Sequence, residues 1–446
     1  MKYPCLERML CMIPAIVLFV LTYVLMLSFS KYRPYIALVS GLIFILTGML
    51  PVGNILGALD FNVLLMIAGT MGLVQLFIDS RMPALLADAI MAKVPNVQWA
   101  AVCLALFAGV ISAFVDNVAT VLMVAPVALA ICRKLKTNPV PFIIGIAVSS
   151  NLQGAATLVG DTTAIMLGSA LDMSFMDFFW YRGKPSVFFA VELGALISAC
   201  ILYIIFRKEK APIPKATDTT QVDDYVPSIL LVGAIGLLVC ASFAPESWNL
   251  PGEINGIICC ALLVVGLVYN FLRNKTISSV TGPLKAIDFE TLGLLVGLFL
   301  MIGGMESRGV IAALGNLLAG MGGNGIFLLY TVIVWASVLI SAFIDNIPYV
   351  ATMIPVIGSL TATLAPAMGV DAATLGVPLY FGLLSGATLG GNCTPIGASA
   401  NITGIGILRR EGYEVKNSDF IKIGVPFTLA AVIPAYIYIW LIYGVK

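Results

Sequence analysis

The chain reads as a series of apolar runs set between short polar stretches, and most runs are long enough to cross a bilayer, which takes about 20 residues. Eight uninterrupted runs lie at 11–29, 35–50, 62–79, 186–206, 227–243, 255–272, 290–304 and 423–443. Each is read as a spanning helix. Four longer segments, 98–133, 141–171, 325–360 and 376–406, carry Asp, Asn, Gly and Pro near their middles. At membrane depth such breaks survive only where protein or a wet cavity satisfies the freed backbone groups. The four broken segments are therefore where function is expected.

Composition agrees with the pattern. Hydrophobic residues make up 60% of the 446 and charged residues 11%, against roughly one quarter charged in a soluble domain. The predicted fold class is an all-α polytopic membrane protein, with the lipid bilayer as its main partner. A net charge of +1 gives no bulk attraction to nucleic acid. There is no histidine, and the nine cysteines mostly sit inside apolar runs without metal-ligand spacing. They read as small buried hydrophobes, and no transition-metal site is expected. The run 11–29 is too long for a signal-peptide core and lacks a small-residue cleavage site, so it is read as a retained helix.

Lysine and arginine cluster at Lys31 and Arg33, at Lys93, and in 133–136, 207–215, 273–285 and 409–422, whereas 361–372 has none. Cationic loops stay cytoplasmic. If 98–133 and 325–360 are re-entrant hairpins entering from opposite faces, ten crossings with both termini outside gather nearly all these clusters on one side. That is the topology expected in a bacterial inner membrane.

The only long polar stretch, 207–226, is rich in Pro, Thr, Asp and Lys and reads as a flexible cytoplasmic linker. It separates two halves that repeat. Leu59-Asp60-Phe61 matches Ile287-Asp288-Phe289, SAFVDN at 112–117 matches SAFIDN at 341–346, and GAATLVG at 154–160 matches GNCTPIG at 391–397. The offset stays near 230 residues, and an odd number of crossings between equivalents makes the repeats inverted. The expected organisation is an N-terminal helix (1–34), a first repeat (35–206), the linker, a connecting helix (227–254) and a second repeat (255–446).

Asp116-Asn117 and Asp345-Asn346 fall at the predicted hairpin tips, where a carboxylate, a carboxamide and free helix-end groups can ligate a hard cation. Pro126 and Pro355 sit at equivalent places on the returning arms. Each Asp could instead cap its helix, which contributes about 1 kcal/mol. A symmetric pair of ionisable residues at membrane depth favours function. In the second pair of motifs, Gly154 and Gly391 permit an unwound, ligand-facing backbone. Thr157, Thr394, Asn151, Asp161, Thr162, Asn392, Ser399 and Asn401 could complete cation sites against the tips. Close helix packing explains the glycines but not Asp161, Asn392 and Asn401. Asp161 aligns with Ala398, so the site is asymmetric, and a carboxyl group there suits exchange of a proton for a metal ion. Glu192, inside another apolar run, reads equally well as a structural hydrogen bond. No lysine or arginine lies within these motifs, which tilts the cargo towards a cation.

The strings SAFVDNVATVLMVAPVALAI, SSNLQGAATLVGDTTAIMLG, SAFIDNIPYVATMIPV and LGGNCTPIGASANI resemble the ion-transporter superfamily with citrate-transporter-like domains, over nearly the whole chain. The Asp-Asn tips are most similar to the branch holding arsenite permeases, sodium/proton antiporters and the P protein. Related divalent-anion/sodium symporters carry Ser-Asn-Thr at these tips, where this chain has Asp116 and Asp345. The Gly-Asp-Pro-Pro-Asn of P-protein-like members reads Gly-Asp-Thr-Thr-Ala here, with Ala164 opposite Asn401. The resemblance implies a scaffold domain and a transport domain of hairpins and broken helices, moving as an elevator and often in a homodimer.

The expected function is sodium/proton antiport, with Asp116, Asp161 and Asp345 exchanging protons for the cation. Asn117, Asn151, Gly154, Thr157, Thr162, Asn346, Gly391, Asn392, Thr394, Ser399 and Asn401 would shape the ion sites. The coupling ions are sodium and the proton, with no organic cofactor, and the substrate is a small inorganic ion or small anion. The alternatives are sodium-coupled di- or tricarboxylate symport and arsenite or metalloid efflux, to which Cys393 points. No nucleophile and base set or metal triad suggests an enzyme.

Overall fold

Where the apolar runs end, short polar residues and prolines set the helix boundaries. The computed structural model describes residues 4–213, 220–322 and 325–445. Its first half contains α1 (Pro4–Ser28), α2 (Arg33–Leu46), α3 (Ile55–Ala58), α4 (Phe61–Asp79) and α5 (Met82–Met91). There follow α6 (Val97–Ser112), α7 (Asn117–Leu135), α8 (Val140–Gly154), α9 (Thr162–Ala170) and α10 (Val187–Ile205). The second half holds α11 (Val226–Ser242), α12 (Ile254–Asn274), α13 (Ser278–Lys285), α14 (Phe289–Ser307) and α15 (Val310–Gly322). It ends with α16 (Ile326–Ser341), α17 (Asn346–Met368), α18 (Ala372–Gly390), α19 (Ser399–Arg410) and α20 (Asn417–Tyr443). A two-stranded ribbon, Trp180–Tyr181 paired antiparallel with Lys184–Pro185, precedes α10.

Side-chain caps explain several starts. Asp60 accepts from the Val63 amide at 3.0 Å, Asn96 from Trp99 at 3.0 Å, Asp288 from Thr291 at 3.0 Å and Asp371 from Thr374 at 3.1 Å, opening α4, α6, α14 and α18. Each satisfies a backbone donor that the first helical turn leaves unpaired. Prolines in the first turn open α2, α5, α8 and α11, where the missing N–H is not needed. Among the described residues, eight helices are long and apolar enough to cross a membrane.

Each of the four broken segments is helix, break and helix, with breaks at 113–116, 155–161, 342–345 and 391–398. Pro126 and Pro355 lie inside α7 and α17 without ending either helix. The apolar run 35–50 stops being helical at Leu46, because Gly48 turns the chain at φ 68° and Pro51 follows. At 1.5 Å per residue α2 is only about 21 Å long, too short alone to span a hydrocarbon core of about 30 Å.

The linker is hydrogen-bonded to the first half at both described ends. The amides of Val97 and Gln98 donate to the Ala211 and Glu209 carbonyls at 3.0 and 2.8 Å, and Thr220 donates to Asp88 through its amide and hydroxyl at 3.0 and 2.6 Å. Free donors at the start of α6 capture this segment as a short extended strap. Residues 214–219 lie outside the described part.

Packing is reciprocal between the halves. α2 lies along α14 while α12 lies along α4, α6 packs on α8 as α16 packs on α18, α7 meets α19 as α17 meets α9, and α10 pairs with α20. α8 and α18 are buried over almost every residue, so both sit at the centre of the bundle.

Candidate functional site

The two tips have the same construction. Asp116 (φ −48°, ψ 142°) opens α7 and accepts from the Val118 and Ala119 amides at 3.0 and 3.1 Å. Asp345 (φ −52°, ψ 136°) opens α17 and accepts from the Ile347 amide at 3.2 Å. The capping role is therefore real for both. The broken helices also resume through matching backbone, with Asp161 at φ −145°, ψ 148° and Ala398 at φ −144°, ψ 146°.

Thr157 and Thr394 play equivalent parts. Their hydroxyls donate to the Ala113 and Ala342 carbonyls, clasping each loop to its tip. Asn151 donates to the Thr388 carbonyl at 2.7 Å and to the Asn392 side chain at 3.1 Å, and Asn392 returns a bond to the Val148 carbonyl at 2.9 Å. This joins the two breaks across the repeat boundary. Asn151→Ala leaves the Asn392 oxygen and the Thr388 carbonyl short of a donor in a buried place, at about 1–3 kcal/mol per orphaned group. The variant is expected to unfold at lower temperature in detergent-based thermal scans, and an unchanged midpoint would remove this clasp from the account.

In the first half, Asn117 accepts from Ser112 at 2.7 Å and donates to Asn151 and to Asp161, each at 3.3 Å. Thr163 donates to the other Asp161 oxygen and meets Thr388 at 2.9 Å. Asn401 donates to the Gly391 and Thr394 carbonyls at 3.0 Å each, and its own buried oxygen has no partner.

An open cavity of about 480 Å³ reaches this cluster. Asp116, Asn117, Asn151, Asp161, Thr162, Asn346 and Ser399 line it, with Met71, Gln75 and Ile78 of α4 and with Asp288 and Thr291 at the start of α14. Gly154, Thr157, Gly391, Asn392, Thr394 and Asn401 stand behind the lining as its support. Cys393 is not among the lining residues. A smaller cavity of about 170 Å³ is lined by Ala58, Asp60, Phe299, Ile302, Gly303 and Glu306. These stand 228 residues from Ala286, Asp288, Met71, Val74, Gln75 and Ile78 of the large cavity. The small cavity includes none of the tip or break residues that line the large one.

One expectation is overturned. The tips are not free of cationic side chains, because an Arg33 guanidinium nitrogen lies 3.3 Å from the Asp345 carboxylate. The two residues are 312 positions apart, so no local pattern could have paired them. Thr163, bonded to Asp161, and Asp288, in the cavity wall, lie inside the strings GDTT and Ile-Asp-Phe, where nothing local marks them as site residues.

Long apolar helices around a polar, carboxylate-lined cavity at helix breaks define an integral membrane transporter. The chain belongs to the citrate transporter family, whose model matches residues 16–382. It is 32% identical to the 46 kDa membrane protein of Mycobacterium leprae over 335 residues, 74% of each chain. It is 27% identical to the P protein of Homo sapiens over 84% of this chain and 52% of that one. Its fold is similar to the YdaH transporter of Alcanivorax borkumensis, with a TM-score of 0.58 at 14% identity over 87% of both chains. It is also similar to MtrF of Neisseria gonorrhoeae, one of a class of antimetabolite efflux pumps, with a TM-score of 0.58 at 15% identity over 91% of this chain and 85% of that one.

Proposed function

We propose that the chain is a sodium/proton antiporter working by alternating access. The observation that carries this reading is that the large cavity ends on Asp116 and Asp161, two carboxylates with no cationic side chain in ion-pair contact among the described residues. Asn151, Thr162 and Ser399 line the same cavity and carry oxygens, the ligand type that hard cations prefer, while Asn117 turns its amide N–H to Asp161. Either a sodium ion or protons can neutralise the pair, so that one displaces the other.

Alternating access is supported by the unequal cavities. Residues at equivalent places in the two halves line a cavity of about 480 Å³ in one case and about 170 Å³ in the other, the inequality that two inverted repeats at opposite ends of one motion would give. Ala286, which directly follows the cationic segment 273–285, lines the large cavity, and that side is taken as cytoplasmic. α6–α9 and α16–α19 form the moving unit against α2, α4, α12 and α14, in an elevator homodimer of the bacterial inner membrane with both termini outside.

Sodium-coupled carboxylate symport is the second reading, favoured by the family's citrate transporter description. Proteoliposomes holding a pH dye decide between the two. An imposed sodium gradient is expected to drive counter-movement of protons without any organic anion. Sodium-dependent accumulation of labelled citrate or succinate, with no proton movement in its absence, would replace antiport by symport.

A further inference from the structure

The two tips share backbone, cap and sequence, yet their charges are balanced differently. Asp345 is 9% exposed, and its outer oxygen faces an Arg33 guanidinium nitrogen at 3.3 Å. The same guanidinium donates through Nε to the Met26 carbonyl at 3.2 Å, which fixes its orientation. Asp116 has backbone amides only, and Asp161 has the neutral donors Asn117 and Thr163.

The helix pairs supply an internal comparison. Gly297 of α14 approaches the backbone of Ala37, and Gly69 of α4, its counterpart, approaches that of Cys259. Arg33 stands four residues before Ala37, and Asn255 stands four residues before Cys259. An arginine in one half thus corresponds to a neutral amide in the other.

We propose that Arg33 is a built-in counter-cation for the second tip, so that transported or coupling cations bind only at the first tip, between Asp116 and Asp161. A guanidinium stays protonated at any physiological pH and cannot leave with the cargo. It satisfies the Asp345 carboxylate in every stage of the cycle in which the pair persists. A mostly buried carboxylate deprived of its partner must take up a proton or a metal ion instead. The inference rests on the cation reading above and refines it, since it removes Asp345 from the exchanging set.

The test counts cations on purified protein, by equilibrium binding of sodium-22 together with proton release on the same sample. Arg33→Met is expected to bind one more cation per chain, sodium or proton, than the unaltered protein. Arg33→Lys and the double variant Arg33→Met/Asp345→Asn are expected to return to the original number. Asp345→Asn alone should also keep that number, which covers the case in which Arg33→Met does not fold. Loss of one cation in Asp345→Asn, or no gain in a folded Arg33→Met, overturns the role of Arg33. An unaltered protein that binds neither ion sinks the antiport reading, while a gain in Arg33→Met would still support the counter-cation.

Discussion

Asp161→Asn is expected to abolish sodium-driven proton movement in everted vesicles while leaving the protein folded. Asn has nearly the shape of Asp, so the contacts with Asn117 and Thr163 can be remade around it. What disappears is a negative charge at the inner end of the cavity, where Asp161 is 7% exposed. At an effective dielectric of about 20, a charge about 4 Å from a bound ion is worth about 4 kcal/mol, roughly a thousandfold in affinity. No second carboxylate can take over from the other half, because Ala398 occupies the equivalent position on the same backbone. Exchange at the full rate in the Asn variant would sink the assignment of Asp161.

The helices were legible because lipid makes hydrophobicity decisive. The runs 186–206 and 227–243 became Val187–Ile205 and Val226–Ser242, since an apolar stretch of that length has no other way to satisfy its backbone. The four breaks were legible for the converse reason, as polar residues in the middle of apolar runs. Short helices escaped. α5, α13 and α15 are too brief, or too close to a neighbouring run, for periodicity to separate them, and only Pro83 in the first turn of α5 gave a local signal.

The site was legible in its parts and less so in its assembly. Sequence repetition located both tips and both glycine-flanked breaks, but it could not say which residues face the cavity. Along the chain Asn392 and Asn401 look as much like ligands as Asn151. The fold places the two as internal braces, bonded to the Val148, Gly391 and Thr394 carbonyls, and only Asn151 reaches the lining. Along the chain Arg33 is one of the loop charges that fix topology, which depends on its position in the sequence. Its contact with Asp345 depends on the packing of α1 and α2 against α17. Tyr23 anchors that packing by bonding the Pro348 carbonyl at 2.7 Å and Thr352 at 2.6 Å, and nothing along the chain announces it.

Gly160→Ala should disable the transporter as thoroughly as the loss of Asp161, by a different route. A Cβ at Gly160 would lie 2.5 Å from the Gly154 carbonyl oxygen, 2.7 Å from that of Ser112 and 2.9 Å from that of Ala113. All three are backbone atoms of the break and the tip, so no side chain can swing aside. Overpacking typically costs about 1–3 kcal/mol, more where the surroundings cannot yield, and relief here requires the tip to part from the break that holds Asp161. Gly397→Ala meets the Gly391, Ser341 and Ala342 oxygens at 2.6, 2.8 and 2.9 Å and is expected to do equal damage. Gly236→Ala, in α11 with nothing within 4 Å of the added carbon, is the control and should be neutral or slightly stabilising. Transport and thermal midpoint measured on the three variants separate two properties of the site. Matching losses at Gly160 and Gly397 would mean that both tips must stay clasped to their breaks, even though only the first carries Asp161 beside its tip carboxylate. Full activity in either alanine variant would show that this close approach is dispensable to transport.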